Sequence, residues 1–415
     1  MLKQCVILVG GLGARLGAAT AAIPKPLLSV AGRPFVDFLV AEAVRRGFTQ
    51  IVLLAGYRSR EVLTYVQEAR ARFGVDLRTV VEDRPMGTGG ALANAAPHLD
   101  EEFLLLNGDT WFDFNWLDLV VKCRNRNCAA GIGLRVAAQA DRYETVEFDG
   151  SIITKFRTRR TDAEVRLING GVYYFTTRCI EHLKRPSSLE ASLLPNLAAA
   201  HVLGGEVYDG FFLDIGLPET LQMAQTAVPA CTRRPAAFLD RDGVLNEDRS
   251  YTHRISDLVW TDGAPEAVKK LNDLGYYVFV VTNQAGIAHG YYDAQDMRNL
   301  HDWMVQHLRQ MGACIDDWRY CFFHPRAKLE RFRGDHDWRK PRPGMLLDLM
   351  RSWPVDCAES FLIGDKLIDI EAAHAAGIIG HLFTGGNLLS FVEGIVSARA
   401  VGHHRDDWDL PTCCG

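Results

Sequence analysis

The chain has 415 residues, 48% of them hydrophobic and 23% charged. That length suits two domains and that balance a globular protein, which excludes a disordered chain, a collagen-like repeat and a coiled coil. The net charge of −5 is uneven, with 25 basic and 25 acidic side chains in residues 1–230 against 21 and 26 in residues 231–415; no basic stripe is present, so nucleic acid is not expected as a partner.

In chain order, strands are predicted at CVILV, QIVLLAG and FLLLNGD, with amphipathic helical patterns over residues 35–46 and 59–72 between them. The alternation restarts near residue 235 with strands AAFLDRD, YVFVVTN and SFLIGD and helical patterns over 263–274 and 294–311. Strand–helix alternation of this kind predicts parallel sheets covered by helices. Residues 228–235, VPACTRRP, hold two prolines and no helical periodicity. They read as a linker over 229–234 between a domain at 1–228 and another at 235–415, with a polar, loosely held tail from about 401. The opening MLKQCVILVGG reads as a first strand rather than a signal peptide, and no apolar run is long enough to span a bilayer. The ten cysteines are scattered, which fits thiols in a reducing cytoplasm; Cys413 and Cys414 read as mobile thiols at the tip.

The first strand runs into Gly10, Gly11 and Gly13, a turn that lets backbone N–H groups approach a phosphate. Leu16 stands where a dinucleotide fingerprint needs its third glycine, and the ending of a P-loop is also missing. Arg15 lies in the loop, and Lys25 follows between Pro24 and Pro26; Lys25 is either a phosphate ligand or a solvated loop lysine. The stretch EDRPMGTGGA, from Glu82 onward, either cradles a base or caps a helix through Thr88. LLLNGD ends a buried strand in Asp109, and FFLDIG places Asp214 after an apolar run. Two such carboxylates beside a phosphate loop suit magnesium, although each alone could be a turn residue.

GGLGARL, PKPLL, RPMGTGGA, LNGD, INGGVYYF and DIGLPE, in that order, resemble the sugar-1-phosphate nucleotidylyltransferases. RYETVEFD, SLEASLLPNL and DGFFLDIGLPE narrow the resemblance toward D-glycero-D-manno-heptose 1-phosphate guanylyltransferase. The resemblance implies a Rossmann-like domain with a mixed, mostly parallel sheet. It implies attack of a sugar 1-phosphate oxygen on the α-phosphorus of a nucleoside triphosphate, with Asp109 and Asp214 holding Mg²⁺. Arg15 and Lys25 would act on the phosphates, Gly10, Gly11, Gly13, Glu82, Gly87 and Thr88 would border the nucleotide, and Asn169 and Gly170 would face the sugar. Many relatives carry a Glu-Lys pair where this chain has Arg157 and Thr158, so sugar contacts from that region are not expected to follow the family.

The second alternation opens with Asp240-Arg241-Asp242 after an apolar strand. Two carboxylates at this spacing leave a strand end on the same side, one as nucleophile and one to handle protons; the alternative is a polar turn, since the spacing does not fit an EF-hand. Thr282 and Asn283 end the next strand, Lys340 precedes a helix in RKPRPG, and Asp365 and Asp369 follow the last strand. A catalytic acid, a hydroxyl, a lysine and a final acidic pair make a phosphoryl-transfer set.

This half resembles the haloacid dehalogenase superfamily of phosphatases, with a doubly wound parallel sheet. FLDRDGVLNEDRSYTHRISDLVW, VVTNQAGIAHGYY, RKPRPGMLLD and LIGDKLIDIEAAHAAG narrow it toward D-glycero-D-manno-heptose 1,7-bisphosphate phosphatase. By that resemblance Asp240 attacks phosphorus, Asp242 protonates the leaving oxygen and then activates water, and Thr282 and Lys340 hold the phosphate. Asp240, Asp242 (through its backbone) and Asp365 would bind Mg²⁺, and Asn283 and Arg339 would contact phosphate or sugar. Relatives often carry a structural zinc site before the Arg-Lys-Pro, but here only Cys321 keeps a ligand in register. No family-type zinc is expected, with convergence of Cys321, His324 and His336 on a metal left as the other possibility. Two consecutive steps on one chain imply a bifunctional α/β enzyme of the cytoplasm making GDP-D-glycero-α-D-manno-heptose from GTP; the alternative is a hexose 1-phosphate nucleotidylyltransferase fused to a broader sugar-phosphate or histidinol-phosphate-like phosphatase. Its partners would be sugar phosphates and a nucleoside triphosphate, with neither nucleic acid nor membrane, and its oligomeric state cannot be read from the sequence.

Overall fold

Strand–helix alternation builds two separate main sheets, and the chain divides into units Met1–Arg233 and Arg234–Gly415. The computed structural model describes residues 2–11, 13–137, 144–157, 166–181, 183 and 185–402. Thr158, Cys413, Cys414 and the rest of the tail from 403 lie outside the described residues.

In the first unit, Glu102–Asn107, Gln4–Leu8, Gln50–Ala55 and Asp76–Val81 lie side by side in parallel. Arg166–Thr176 pairs antiparallel with Glu102–Asn107 and makes the sheet mixed. Gln4–Leu8, Gln50–Ala55 and Glu102–Asn107 are apolar on both faces because both are covered, while the edge strand Asp76–Val81 stays partly exposed; Val6, Val52, Phe103, Leu105 and Tyr173 share one core with Leu92 and Leu194. The chain leaves Gln4–Leu8 toward one side and returns to pair Glu102–Asn107 on the other. The strand order therefore switches between these two, and a crevice opens at their C-terminal ends, where ligands bind in such sheets.

In the second unit, Asp317–Cys321, Tyr277–Asn283, Ala236–Leu239, Phe361–Gly364 and Ile379–Leu382 form a wholly parallel sheet in that order. Side chains alternate across it. Ala237, Leu239, Val278, Val280 and Ile363 pack with Ala267, Leu271 and Leu300. Ala236, Phe238, Tyr277, Phe279 and Leu362 pack on the opposite face with Leu346, Leu349 and Ala373. Helices on both faces make the sheet doubly wound. Its switch point lies between Ala236–Leu239 and Phe361–Gly364, which lead directly into Asp240 and Asp365.

Residues 228–235, read as a linker without helical periodicity, are helical as far as Thr232. The helix Pro218–Thr232 carries Pro229 inside it. Pro229 lacks the N–H that would bond one turn back. Ala224 and Val228, one turn apart and fully buried, hold the helix through that point.

Candidate active sites

The first crevice gathers cations and carboxylates. Pro24 sets an extended backbone before the tight turn Lys25–Leu27, which directs Lys25 inward. The Lys25 side chain is 7% exposed, and its Nζ lies 2.6 Å from Asp109 Oδ2 and 3.6 Å from Asp214 Oδ1. Asp214 Oδ1 also accepts from Gly216 N at 2.6 Å. Burial, and then the charge of Asp109, raise the Asp214 carboxyl above its ordinary range, with Lys25 opposing them. A methyl group built on Gly216 would lie 3.0 Å from both Arg15 Nη2 and Lys25 Nζ. Arg15, Lys25, Asp109 and Asp214 thus border one space, although 199 residues separate Arg15 from Asp214 in the chain. The two carboxylates supply hard oxygen donors, and a bound triphosphate would supply more, so this set fits Mg²⁺.

Gly10 lies against Gly56, and Glu82 ends Asp76–Val81's run with its Oε2 accepting from Met86 N at 3.2 Å. The helix Gly87–Ala95 is not capped by Thr88. Its Gly89 and Gly90 N–H groups donate to the Ser187 carbonyl at 3.0 and 3.1 Å. Thr88 Oγ1 accepts from Leu189 N at 2.8 Å and donates to Glu190 Oε2 at 3.0 Å. Gly87, at φ +74°, meets the same Ser187 carbonyl, so a side chain there would collide with it. Ser187, Leu189 and Glu190 are contacts that the sequence alone does not reveal; no local signal ties residue 187 to residue 89.

Asn169 spends its amide close to home, donating to the Tyr173 hydroxyl at 2.9 Å and accepting from Gly171 N at 3.0 Å. Gly170 packs tightly under Phe112 and the Gly133 carbonyl. Pairing with Ala130–Ala137 shifts register between Asn169 and Tyr173. Asn107 and Glu190 also act on the Tyr173 hydroxyl, whose titration burial pushes upward. Asn169 therefore fixes the Tyr173 hydroxyl and the backbone at Gly171.

The second crevice is tighter. Lys340 is 2% exposed. Its Nζ donates to the Val281 carbonyl at 2.8 Å and pairs with Asp240 Oδ1 at 2.9 Å and Asp369 Oδ1 at 2.6 Å. Burial raises the Asp240 carboxyl to about 7; Lys340 opposes the shift, while Asp369 and Asp242 add to it. Oxygens of Asp240, Asp365 and Asp369 lie within 4.8 Å of one another. Asp365 Oδ1 is buried without a hydrogen-bond partner, and three convergent carboxylates with a spare oxygen fit a hard divalent cation. Gly243, at φ +90°, admits the Asp365 carboxylate where any side chain would displace it.

Asp242 does not turn its carboxylate to this group. Arg241, fully buried, donates to both Asp242 oxygens at 2.8–2.9 Å, and Asn246 Nδ2 and Gln284 Nε2 donate at 3.0 and 3.2 Å. Its backbone is what remains for a cation, and Asp369 is the carboxylate that completes the cluster. Thr282 is buried at its strand end. Asn283 makes reciprocal 3.2 Å bonds with the backbone of Lys340, so it positions the lysine segment. Arg339 Nη1 donates to the Phe323 carbonyl at 3.1 Å.

Cys321, His324 and His336 do not gather into a metal-ligating group among the described residues. His324 Nδ1 accepts from Arg326 N, and His336 Nδ1 from Trp338 N, both at 3.0 Å. A neutral imidazole that accepts at Nδ1 carries its proton on Nε2, which leaves neither nitrogen for zinc. Cys321 is 2% exposed in an apolar cluster with Phe323 and Trp338, and His336 stacks on Phe323 at 4.5 Å.

These two constellations on doubly wound and mixed sheets define an enzyme with two phosphoryl-handling sites. The nucleotidyl transferase family matches residues 4–230, and the HAD-hydrolase-like family matches residues 337–389. The D-glycero-β-D-manno-heptose-1,7-bisphosphate 7-phosphatase of Rhodopseudomonas palustris is 48% identical over 164 residues, 40% of this chain and 91% of that protein. The α-heptose 7-phosphatase of Photorhabdus laumondii is 41% identical over 142 residues, 34% of this chain and 78% of that protein. HddC from Yersinia pseudotuberculosis, solved with GMP-PN, is 26% identical with a TM-score of 0.49, covering 55% of this chain and all but 1% of its own. The chain belongs to the nucleotidyl transferase family in its first unit and to the heptose-bisphosphate 7-phosphatase family of haloacid dehalogenase-like hydrolases in its second. No described helix is long and apolar enough to cross a membrane.

Proposed function

We propose that the second unit removes the 7-phosphate of D-glycero-D-manno-heptose 1,7-bisphosphate. The first unit then joins the resulting heptose 1-phosphate to GMP from GTP. The products are GDP-D-glycero-α-D-manno-heptose, inorganic phosphate and pyrophosphate, and the setting is the cytoplasm. The observation that carries the reading is the Asp240–Lys340–Asp369 cluster with Asp365, on the same chain as a complete Lys25–Asp109–Asp214 set.

In the second unit a carboxylate oxygen of Asp240 forms a bond to phosphorus as the bond to the sugar oxygen breaks. Asp242 gives that oxygen its proton, then takes one from the water that cleaves the aspartyl-phosphate. Lys340 offsets the gathered negative charge, and the Thr282 hydroxyl donates to the phosphoryl oxygens. In the first unit a heptose 1-phosphate oxygen attacks the α-phosphorus while Arg15 and Lys25 offset charge on the phosphates. Mg²⁺, held by Asp109 and Asp214 in one site and by Asp240, Asp365 and the Asp242 carbonyl in the other, with Asp369 completing that carboxylate cluster, would neutralise phosphate charge.

The test supplies heptose 1,7-bisphosphate, as α and β anomers separately, with each nucleoside triphosphate and Mg²⁺. Phosphate release followed by GDP-heptose is expected. Asp240→Asn should abolish phosphate release and leave transfer from heptose 1-phosphate intact, and Asp109→Asn should do the reverse, each by roughly 10³-fold or more. Release of neither product from either anomer would sink the reading.

A further inference from the structure

Asp242 and Thr282 stand at the ends of the paired strands Ala236–Leu239 and Tyr277–Asn283, and one side chain joins them. Gln284 is 1% exposed. Its Nε2 donates to Thr282 Oγ1 at 2.9 Å and to Asp242 Oδ2 at 3.2 Å. Its Oε1 bonds the Tyr292 hydroxyl at 2.6 Å. Tyr292 is itself buried, its ring flat against His253 with 4.7 Å between centroids and 5° between planes.

The direction of this amide matters. Asp242 already accepts from Arg241 at both oxygens and from Asn246 at Oδ1, so the NH₂ end of the amide faces it and the Tyr292 hydroxyl donates to the oxygen end. Thr282 Oγ1, having accepted from Nε2, keeps its own proton for a phosphoryl oxygen. A reversed amide would set Oε1 against the Asp242 carboxylate and draw the Thr282 proton away from the substrate. We propose that Gln284 is a positioning residue for phosphate removal, which aims the Asp242 carboxyl and the Thr282 hydroxyl proton at one phosphoryl group, and that Tyr292 fixes the direction of its amide. This rests on the phosphatase reading above, in which Asp242 gives its proton to the sugar oxygen as that oxygen leaves phosphorus and Asp240 bonds to it.

The test is kcat/KM of the full chain on two substrates. Heptose 1,7-bisphosphate needs its leaving alkoxide protonated; p-nitrophenyl phosphate leaves as a stable phenolate and does not. Gln284→Met should lower both values through Thr282, and lower the heptose value a further ~10-fold or more through Asp242. Tyr292→Phe keeps the ring against His253 and so covers a failure of Gln284→Met to fold; it should give the same skew at roughly 3-fold. Equal losses on the two substrates, or no loss, in Tyr292→Phe and in folded Gln284→Met would overturn the inference and leave the phosphatase reading standing. Wild-type protein that releases phosphate from neither substrate would overturn both.

Discussion

His301 shows how a single buried side chain affects acid stability. Its Nε2 lies 3.1 Å from Arg241 Nη1, and a guanidinium only donates, so the imidazole is neutral and accepts. Its ring stacks on Trp318 at 4.1 Å. Burial, and then the charge of Arg241, lower its pKa from 6.5 to about 2. The folded state therefore refuses a proton that the unfolded chain takes up below about 6.5. Stability from this group is whole above that pH and falls as the pH drops below it, by up to about 1.4 kcal/mol per pH unit. His301→Gln keeps an acceptor for Arg241 and removes the titration. Heat inactivation of the phosphatase at pH 7 and pH 5 should therefore differ less in His301→Gln than in the wild type; an unchanged difference would show that other groups set the acid limit.

At the scale of elements, helix Gly87–Ala95 depends on a segment far along the chain. Its first free N–H groups are satisfied by Ser187, and Thr88 is locked between Leu189 and Glu190. Gly87 and Gly89 have no side chain because Ser187 occupies that space. Gly87→Ala would both strain a left-handed backbone and push Ser187 away, at a cost of about 1–3 kcal/mol. The expected result is a lower melting temperature of nucleotidyl-transfer activity and a raised KM for the triphosphate, with phosphatase activity unaffected. The glycines were readable from the sequence, and so was a helix after them. What they make room for was not, because residues 87 and 187 meet only through the tertiary fold. The same limit explains Pro229, which marks a break in sequence terms while buried Ala224 and Val228 hold the helix. Strand-end residues such as Asp240 and Asp365 were legible because an apolar run followed by a carboxylate is a local pattern. The side chains that hold their neighbours Asp242 and Arg241 were not, because Gln284 and His301 lie 42 and 60 residues from those contacts.

For the whole molecule, each unit holds a core of its own and its own cluster of lysine and carboxylate side chains. Phe103, Leu105, Tyr173 and Leu194 share one core in the first unit; Leu239, Val280, Leu300 and Ile363 share another in the second. Lys25, Asp109 and Asp214 all lie before residue 233, and Asp240, Lys340, Asp365 and Asp369 after residue 234. Two chains divided between Arg233 and Arg234 leave helix Pro218–Thr232 intact on one and strand Ala236–Leu239 on the other. Each should fold separately, because its buried apolar surface and its reactive groups come from its own sequence. Each should also keep its own kcat/KM to within about 3-fold, a change of under 1 kcal/mol in barrier height. The full chain and an equimolar mixture of the pieces can then be compared for the lag before pyrophosphate appears from heptose 1,7-bisphosphate. Equal lags would mean that heptose 1-phosphate passes through bulk solution, and the fusion then secures equal amounts of two consecutive enzymes. A piece that folds but loses its chemistry would show that it depends on the other unit.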